Sequence, residues 1–180
     1  MITPLLLADL SERHPGLTKA IGDSYAEAAA VCMHRHHVSP ADLSAVVRDL
    51  ATECILHWDT PSNGILRAYA NEIDTTEQGA YAVSLATTEA VVGLVAVSRA
   101  ETMTGADYYV APIGSNLEDL ETCIRLEVSG VSAGSEAVVQ ARLRQKVAQT
   151  AKGKSNLPAL AAVVGFKERL IAIAKLGDEQ

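Results

Sequence analysis

The spacing of apolar residues predicts two helices in the first third of the chain. One helix is expected over residues 16–37, where small and apolar positions recur every three or four residues. Val38-Ser39-Pro40 should end it, because the residue before a proline disfavours the α conformation. Ser39 as N-cap and Pro40 at the first helical position then predict a second helix over 40–58.

Turn-forming residues are concentrated between positions 59 and 64, in the sequence DTPSNG. This cluster is the clearest loop in the chain and suggests a boundary between two parts. We therefore predict an α-helical N-terminal unit over residues 1–62 and an α/β core over residues 63–180.

The pattern after this boundary changes from helical to strand-like and back. An alanine-rich helix is expected over 74–100, followed by strands over 106–112 and 123–130. An amphipathic helix over 135–151 follows, with Ser135 as its N-cap, and the apolar run 157–166 is typical of a strand covered on both faces. Residues 167–175 are expected to form a turn or a final helix. This order predicts an α/β fold with a three-layer-like core, in which helices flank a small mixed sheet.

Charge is distributed unevenly along the 180 residues, whose net charge is −7. Residues 1–120 contain 6 basic and 16 acidic side chains, whereas residues 121–180 contain 9 basic and 6 acidic ones. The acidic balance argues against a protein that coats nucleic acid nonspecifically. The basic C-terminal part fits either a surface that faces phosphate or a segment that packs on the acidic part.

The sequence also lacks the signals of membrane insertion and secretion. The longest weakly polar stretch, Ala90–Ser98, is about half of the roughly 20 residues that a spanning helix needs. The N-terminus has no basic n-region, and the three cysteines are widely spaced. We therefore expect a cytoplasmic protein with reduced thiols and no membrane partner.

Two predicted strands carry carboxylates. Asp107 lies at the start of the first strand and Glu127 lies within the second, so a hairpin would bring them side by side. Two neighbouring carboxylates repel each other unless a proton or a divalent cation lies between them. Mg²⁺ is a common occupant of such sites, where it polarises a phosphodiester and lowers the pKa of a bound water.

The segments GADYYV and LEVSG, the basic amphipathic helix and the apolar run PALAAVVGF together resemble the core of the PD-(D/E)xK nuclease-like superfamily. In that pattern an Asp begins one strand, a (D/E)-x-K tripeptide lies on the next, and a helix and a further strand follow. The resemblance covers about residues 76–166. It implies Asp107 and Glu127 as metal ligands, Glu89 as an additional acidic ligand, and a Mg²⁺-dependent nuclease that acts on DNA.

The tripeptide departs from this pattern at its last position, where Ser129 stands in place of lysine. Some members of the superfamily carry the missing group on the following helix, which makes Gln140, Arg144 and Lys146 the candidates here. Other members have lost catalysis. The alternative is therefore a non-catalytic interaction module that keeps the fold and binds a protein partner or forms a homo-oligomer.

Asp107 and Glu127 can also be interpreted as residues with no catalytic role. Alternation along 124–129 would place Glu127 on a solvent-facing side of its strand together with Arg125, and Asp107 would be a turn residue after Gly105.

Histidines and cysteines near residues 32–37 raise the separate question of a zinc site. Four of them, Cys32, His36, Cys54 and His57, could meet in a helical hairpin. His34 and His37 belong to the same cluster. The alternative, which the apolar stripes around both cysteines favour, is a plain histidine-rich helix terminus with buried thiols.

Overall fold

The structure is a computed structural model that describes residues 2–115 and 119–177. Its helices are α1 (Leu10–Arg13), α2 (Lys19–His34), α3 (Asn63–Ala68), α4 (Glu72–Thr87) and α5 (Glu136–Ala151). Its strands are β1 (Thr3–Leu5), β2 (Ala41–Val47), β3 (Leu50–Leu56), β4 (Leu94–Arg99), β5 (Tyr108–Pro112), β6 (Ile124–Val131), β7 (Ala159–Gly165) and β8 (Leu170–Lys175). Within the described residues, these strands form one mixed sheet in the order β1-β3-β2-β8-β7-β6-β5-β4.

The half of the sheet formed after residue 93 has a simple chain path. β4, β5 and β6 form an antiparallel meander, and α5 connects β6 to the parallel strand β7. β8 then returns antiparallel to β7 and pairs in parallel with β2, which joins the two halves of the sheet. The predicted mixed α/β class is confirmed, as are the strands at β5, β6 and β7 and the helix at α5.

The predicted helix over 40–58 is wrong, because this segment forms the β2–β3 hairpin. Burial alternates along β2, where Ala41, Leu43 and Ala45 point into the core. The two-residue turn at Arg48 and Asp49 has positive φ at both positions (49° and 63°), which matches the twist of a tight hairpin. Residues 2–62 therefore contain three strands, and the unit over residues 1–62 that was predicted to be helical is not confirmed.

The predicted helix over 74–100 is too long. α4 begins after its N-cap Asn71, whose side chain accepts hydrogen bonds from two backbone N–H groups, and a π-helical turn over Thr88–Val92 follows its end. Gly93, with φ of 79°, then leaves the helical path, and the chain continues as β4. Residues 170–175, expected to be a turn or helix, form strand β8.

The two faces of the sheet around β6 contact different helices. Leu126 and Val128 belong to the large core cluster, to which α2 and α4 also contribute buried side chains. Val131 belongs to a smaller cluster with Val139 and Leu143 of α5. Gly130 allows the close approach of α4, since an added Cβ would lie 2.6 Å from the carbonyl oxygen of Thr76.

No helix among residues 2–115 and 119–177 combines the length and the apolar character needed to cross a membrane.

Candidate active site

The side of β6 that faces α5 is polar and buried. Arg125, Glu127 and Ser129 alternate along this side and are only 2%, 5% and 8% exposed. The expectation that Arg125 and Glu127 face solvent is therefore wrong, because α5 covers them. Since a buried charge is costly without partners, each of these groups should have a dedicated contact.

Helix α5 supplies these contacts to Glu127 and Ser129. Lys146 Nζ donates a hydrogen bond of 2.6 Å to Glu127 Oε1, and only 18% of the lysine side chain is exposed. One turn earlier, Arg142 Nη1 lies 3.5 Å from Ser129 Oγ. The spacing of four residues places both basic groups on the same side of α5. Helix α5 thus brings a lysine to Glu127, although the tripeptide Glu127-Val128-Ser129 contains no lysine.

Arg125 has a structural role below this site. Its guanidinium donates to the carbonyl oxygens of Leu157, Thr104 and Thr150 at 3.1, 2.7 and 3.1 Å. These bonds tie β6 to the end of α5 and to the loop before β5. Gly153 is needed beside it, because an added Cβ would lie 2.7 Å from Arg125 Nη1.

Asp107 directly precedes β5, and its carboxylate is held from three directions. The Oδ2 atom accepts a hydrogen bond of 2.8 Å from the backbone N–H of Val128, in the residue next to Glu127. The Oδ1 atom accepts from the hydroxyl of Tyr81 at 2.9 Å and lies 3.5 Å from Nη2 of Arg99. The turn position predicted as an alternative is compatible with this geometry, but the side chain points at β6 and α4.

Electrostatics couple the two carboxylates. Burial raises the pKa of Glu127 above its ordinary value, the negative charge of Asp107 raises it further, and the contact with Lys146 opposes both effects. Asp107 and Glu127, called the carboxylate pair below, therefore form a site in which added positive charge is favourable.

Helix α4 contributes a third carboxylate, Glu77, which is connected to Asp107 through the hydroxyl of Tyr81. The hydroxyl of Tyr81 lies 3.1 Å from Glu77 Oε1 as well as 2.9 Å from Asp107 Oδ1. A phenol has one proton to donate, so the two carboxylates compete for it. Burial and the charge of Asp107 raise the pKa of Tyr81 above its ordinary value, which keeps the phenol protonated.

Two cavities of about 600 Å³ each meet at the carboxylate pair. One lies between α4 and α5 and contains Glu77, Arg142 and Lys146. The other lies beside the loop that precedes β5 and the end of α5, and its basic lining residues are Arg99, Lys152 and Lys154. Both carboxylates are thus reachable from solvent through a groove with basic residues on either side.

The donor set fits one divalent cation of the hard type. Among the described residues no group of three or more His, Cys, Asp or Glu side chains is placed to hold a metal ion. Mg²⁺ does not need such a group, because it is usually held by one or two carboxylates, water and substrate phosphate oxygens. The carboxylate pair meets that requirement, whereas a tetrahedral zinc site would need more protein ligands.

Three of the predicted site residues lie elsewhere. Glu89 is in an ion pair with Arg13, whose Nε lies 2.9 Å from Oε1, and it also contacts His14; these three residues are called the Glu89 cluster below. Gln140 and Arg144 line neither cavity. The acidic residues of α4 that do line the first cavity are Glu72 and Glu77, and Glu77 lies about three turns before Glu89.

Sequence analysis missed Glu77, Tyr81, Arg99 and Arg142 as site residues. The signal for Arg142 was available, because it lies four residues before Lys146 on a helix that was predicted to be amphipathic. Arg99 had no such signal, since the end of β4 was interpreted as helix. Tyr81 lies in a segment of small residues that indicated close packing only.

The candidate zinc ligands are not brought together. The thiols of Cys32 and Cys54 donate to the carbonyl oxygens of Thr75 and Thr52, and burial raises the pKa of the Cys32 thiol to about 11. His57 is exposed. His37 Nε2 donates to the carbonyl of Phe166 at 2.9 Å, and both His36 and His37 follow the end of α2, which is the terminus that the alternative reading predicted.

Comparison with known proteins gives no family for this chain: no family model, no curated protein and no solved structure matches it. The functional argument therefore rests on the geometry of the site.

Proposed function

We propose that this protein is a divergent member of the PD-(D/E)xK nuclease-like superfamily and a Mg²⁺-dependent nuclease that acts on DNA. The observation that carries the proposal is the 2.6 Å contact between Lys146 Nζ and Glu127 Oε1. It supplies from α5 the basic group that the sequence lacks at Ser129. The buried charge of Glu127 also requires a partner, so the functional argument rests on the position of this lysine beside a second carboxylate and two cavities.

The chain path supports the same proposal. Asp107 precedes β5, Glu127 and Ser129 lie on β6, and α5 and β7 follow, with β6 and β7 parallel. This is the order of parts that the resemblance implies. We propose that residues 63–180 contain a three-layer-like core, with α4 and α5 on opposite sides of β6.

In this proposal the carboxylate pair holds the Mg²⁺ ion. When bound, the ion would polarise the scissile phosphodiester and lower the pKa of a bound water. The residues of the chain do the rest. The backbone N–H of Val128 and the hydroxyl of Tyr81 orient Asp107, while Lys146 orients Glu127 and keeps positive charge at the reacting phosphate.

The identity of the substrate is argued from charge. The groove contains Arg99, Arg142, Lys146, Lys152 and Lys154, and it also contains Glu72, Glu77, Glu101 and the carboxylate pair. Basic groups that border a pair of carboxylates favour a polyanion that binds there together with a cation over nonspecific coating of nucleic acid. DNA is the polyanion that the resemblance implies.

A second candidate function has its own observation. Both oxygens of Asp107 accept hydrogen bonds from the protein, which is also what a carboxylate with a purely structural role would do. A non-catalytic interaction module would keep these bonds, and the missing tripeptide lysine would then mark lost catalysis. Such a module should assemble with a second copy or another protein and bind no divalent cation.

Cleavage of DNA in the presence of Mg²⁺ or Mn²⁺ tests the proposal. The unmodified protein is compared with Asp107→Asn and Glu127→Gln, and Glu53→Gln, an exposed substitution on β3, is the matched control. We expect metal-dependent cleavage that falls about a hundredfold or more in both site variants and is unchanged in the control. Folding of each variant is checked by circular dichroism.

The outcome also separates the two candidate functions. Absence of cleavage and of metal binding in the folded, unmodified protein contradicts the nuclease. A stable oligomer under the same conditions, measured by sedimentation, would then favour the interaction module.

A further inference from the structure

Arg99, at the end of β4, is held in place by aromatic rings. Its guanidinium carbon lies 4.7 Å from the ring centroids of both Tyr81 and Tyr108. The hydroxyl of Tyr108 is hydrogen-bonded at 2.9 Å to that of Tyr25, which fixes the second ring. Such cation–π contacts orient a guanidinium without neutralising its charge.

The guanidinium of Arg99 keeps N–H donors that these protein contacts do not use. Nη2 of Arg99 donates to the hydroxyl of Tyr81 at 3.1 Å and lies 3.5 Å from Asp107 Oδ1. A guanidinium has five N–H donors, more than these two contacts use. Half of the Arg99 side chain is exposed, and it lines the second cavity.

A role as the counter-ion of Asp107 does not account for this arrangement. Asp107 already accepts shorter bonds from Tyr81 and from the N–H of Val128. The 3.5 Å contact to Arg99 is at the limit of a hydrogen bond. A residue placed only to neutralise Asp107 would be expected to form the closer, two-pronged contact that arginine and carboxylate groups make.

Two lysines are the other basic residues that line the same cavity. Lys152 and Lys154 follow α5 and line the cavity with Arg99. Their loop is fixed, because the N–H of Lys154 donates to the carbonyl of Met103 at 3.2 Å, and Gly153 lies too close to Thr104 to accept a side chain. The backbone that carries both lysines is thus held against the loop that precedes β5.

We propose that Arg99, Lys152 and Lys154 form a phosphate-binding subsite beside the carboxylate pair, which holds a phosphate group adjacent to the one that is cleaved. The position of the subsite next to the cleaved phosphate rests on the proposed function, whereas phosphate binding by its three basic residues can be tested without metal. The planar fork of arginine matches two oxygens of a phosphate, which a lysine ammonium does not reproduce.

Negative charge in the cavity sets the condition for the test. Asp107, Glu127 and Glu101 share the cavity with the three basic groups, so they weaken phosphate binding when no cation occupies the carboxylate pair. Burial keeps the pKa values of Tyr81 and Tyr108 above their ordinary range, so neither phenol adds charge. Removing the charge of Asp107 should therefore strengthen phosphate binding in the absence of metal.

Metal-free titrations measure this directly. Inorganic phosphate, thymidine 5′-monophosphate and a single-stranded oligodeoxynucleotide are each added to Asp107→Asn, and the amide signals of Gly105 and Gly153 are followed by NMR. We expect tighter binding than in the unmodified protein. Adding Arg99→Lys should weaken it about tenfold, while Arg67→Lys, an exposed substitution on α3, should leave it unchanged.

Each result has a defined meaning. Arg99-dependent binding of the oligonucleotide supports a backbone phosphate as ligand, and dependence limited to the monophosphates supports a terminal phosphate. Equal binding in the Arg99→Lys variant overturns the subsite; Arg99→Gln repeats the test if the first variant does not fold. Arg99-dependent phosphate binding in a protein without metal-dependent cleavage would contradict the proposed function and leave the subsite standing.

Discussion

The Glu89 cluster and the carboxylate pair both combine acidic with basic side chains, but they differ in the number of basic partners for each carboxylate. In the Glu89 cluster, two basic residues serve one carboxylate: Arg13 donates to both oxygens and His14 contacts one of them. In the carboxylate pair, Lys146 contacts Glu127 at 2.6 Å, and Nη2 of Arg99 lies 3.5 Å from Asp107. The first arrangement gives one carboxylate two basic partners, and the second gives each carboxylate one.

The two sites also differ in what they hold together. The backbone N–H of Ala96 donates to His14 Nδ1 at 3.0 Å, so the imidazole proton is on Nε2, toward Glu89. Arg13 also binds carbonyl oxygens of the loop that precedes α1. The Glu89 cluster therefore fastens the N-terminal segment to β4. The carboxylate pair instead adjoins two cavities, which is where a ligand can reach it.

The comparison teaches that an acidic residue in the right helix is insufficient evidence for a metal ligand. Glu89 satisfied the sequence pattern, but its charge is compensated within the protein. Predictions about stability should therefore single out the Glu89 cluster, and predictions about activity should single out the carboxylate pair.

The largest effect is expected for His14→Ala. This substitution removes a side chain that is fully buried and leaves the N–H of Ala96 without its acceptor. We expect the free energy of unfolding to fall by about 3 kcal/mol, measured by urea denaturation. His57→Ala, at an exposed histidine, should change it by less than about 0.5 kcal/mol. Equal effects of the two substitutions on the free energy of unfolding would contradict the claim that the Glu89 cluster stabilises the fold.

Lys146→Met should lower activity strongly, and it should also lower stability because it leaves the buried carboxylate of Glu127 without its cation. The substitution removes the cation next to Glu127 but keeps an apolar stem of similar length. We expect DNA cleavage to fall about a hundredfold, measured as a single-turnover rate. Arg144→Met, two residues away on α5 and outside both cavities, should retain the full rate. Similar rates in both variants would remove Lys146 from the proposed mechanism.

A smaller and opposite pair of effects is expected in the pH dependence of stability. Burial lowers the pKa of His14 below its ordinary 6.5, so the unfolded chain binds the proton more tightly, and this residue's contribution is lost as the pH falls below 6.5. Burial raises the pKa of Glu127 above its ordinary 4.5, so the folded protein binds the proton more tightly. The contribution of Glu127 is therefore lost as the pH rises through that raised value.

Denaturation between pH 4.5 and 7 measures both slopes. His14→Gln should flatten the loss of stability toward acid pH, and Glu127→Gln should remove the loss of stability toward neutral pH. Changes of the same sign in both variants would show that the two sites do not differ as described.

The second half of the fold was the part most readily predicted from sequence. The alternation in β6 and the amphipathic pattern of α5 are local signals, and both elements lie where they were expected. Lys146 was among the candidates for the missing lysine. Arg144 was not distinguishable from it, because the choice depends on which side of α5 meets β6.

The errors arose where pairing partners are distant in sequence. The apolar residues of 41–56 fit a helix as well as a hairpin, and the hairpin is stabilised by pairing with β8, more than 120 residues later. Its turn contains no glycine that would have indicated it in the sequence, because the two positions with positive φ are occupied by Arg48 and Asp49. For β4 a signal was present: Gly93 is a typical end of a helix and was not used as one.

The most direct test of the account is the position of a bound divalent cation. Mn²⁺ is added to the isotopically labelled protein, and the paramagnetic broadening of backbone amide signals is measured. We expect the strongest broadening around Asp107 and Val128, none around His14 and Glu89, and loss of the effect in Glu127→Gln. Broadening centred on the Glu89 cluster, or none at millimolar Mn²⁺, would contradict the claim that the carboxylate pair is a metal site.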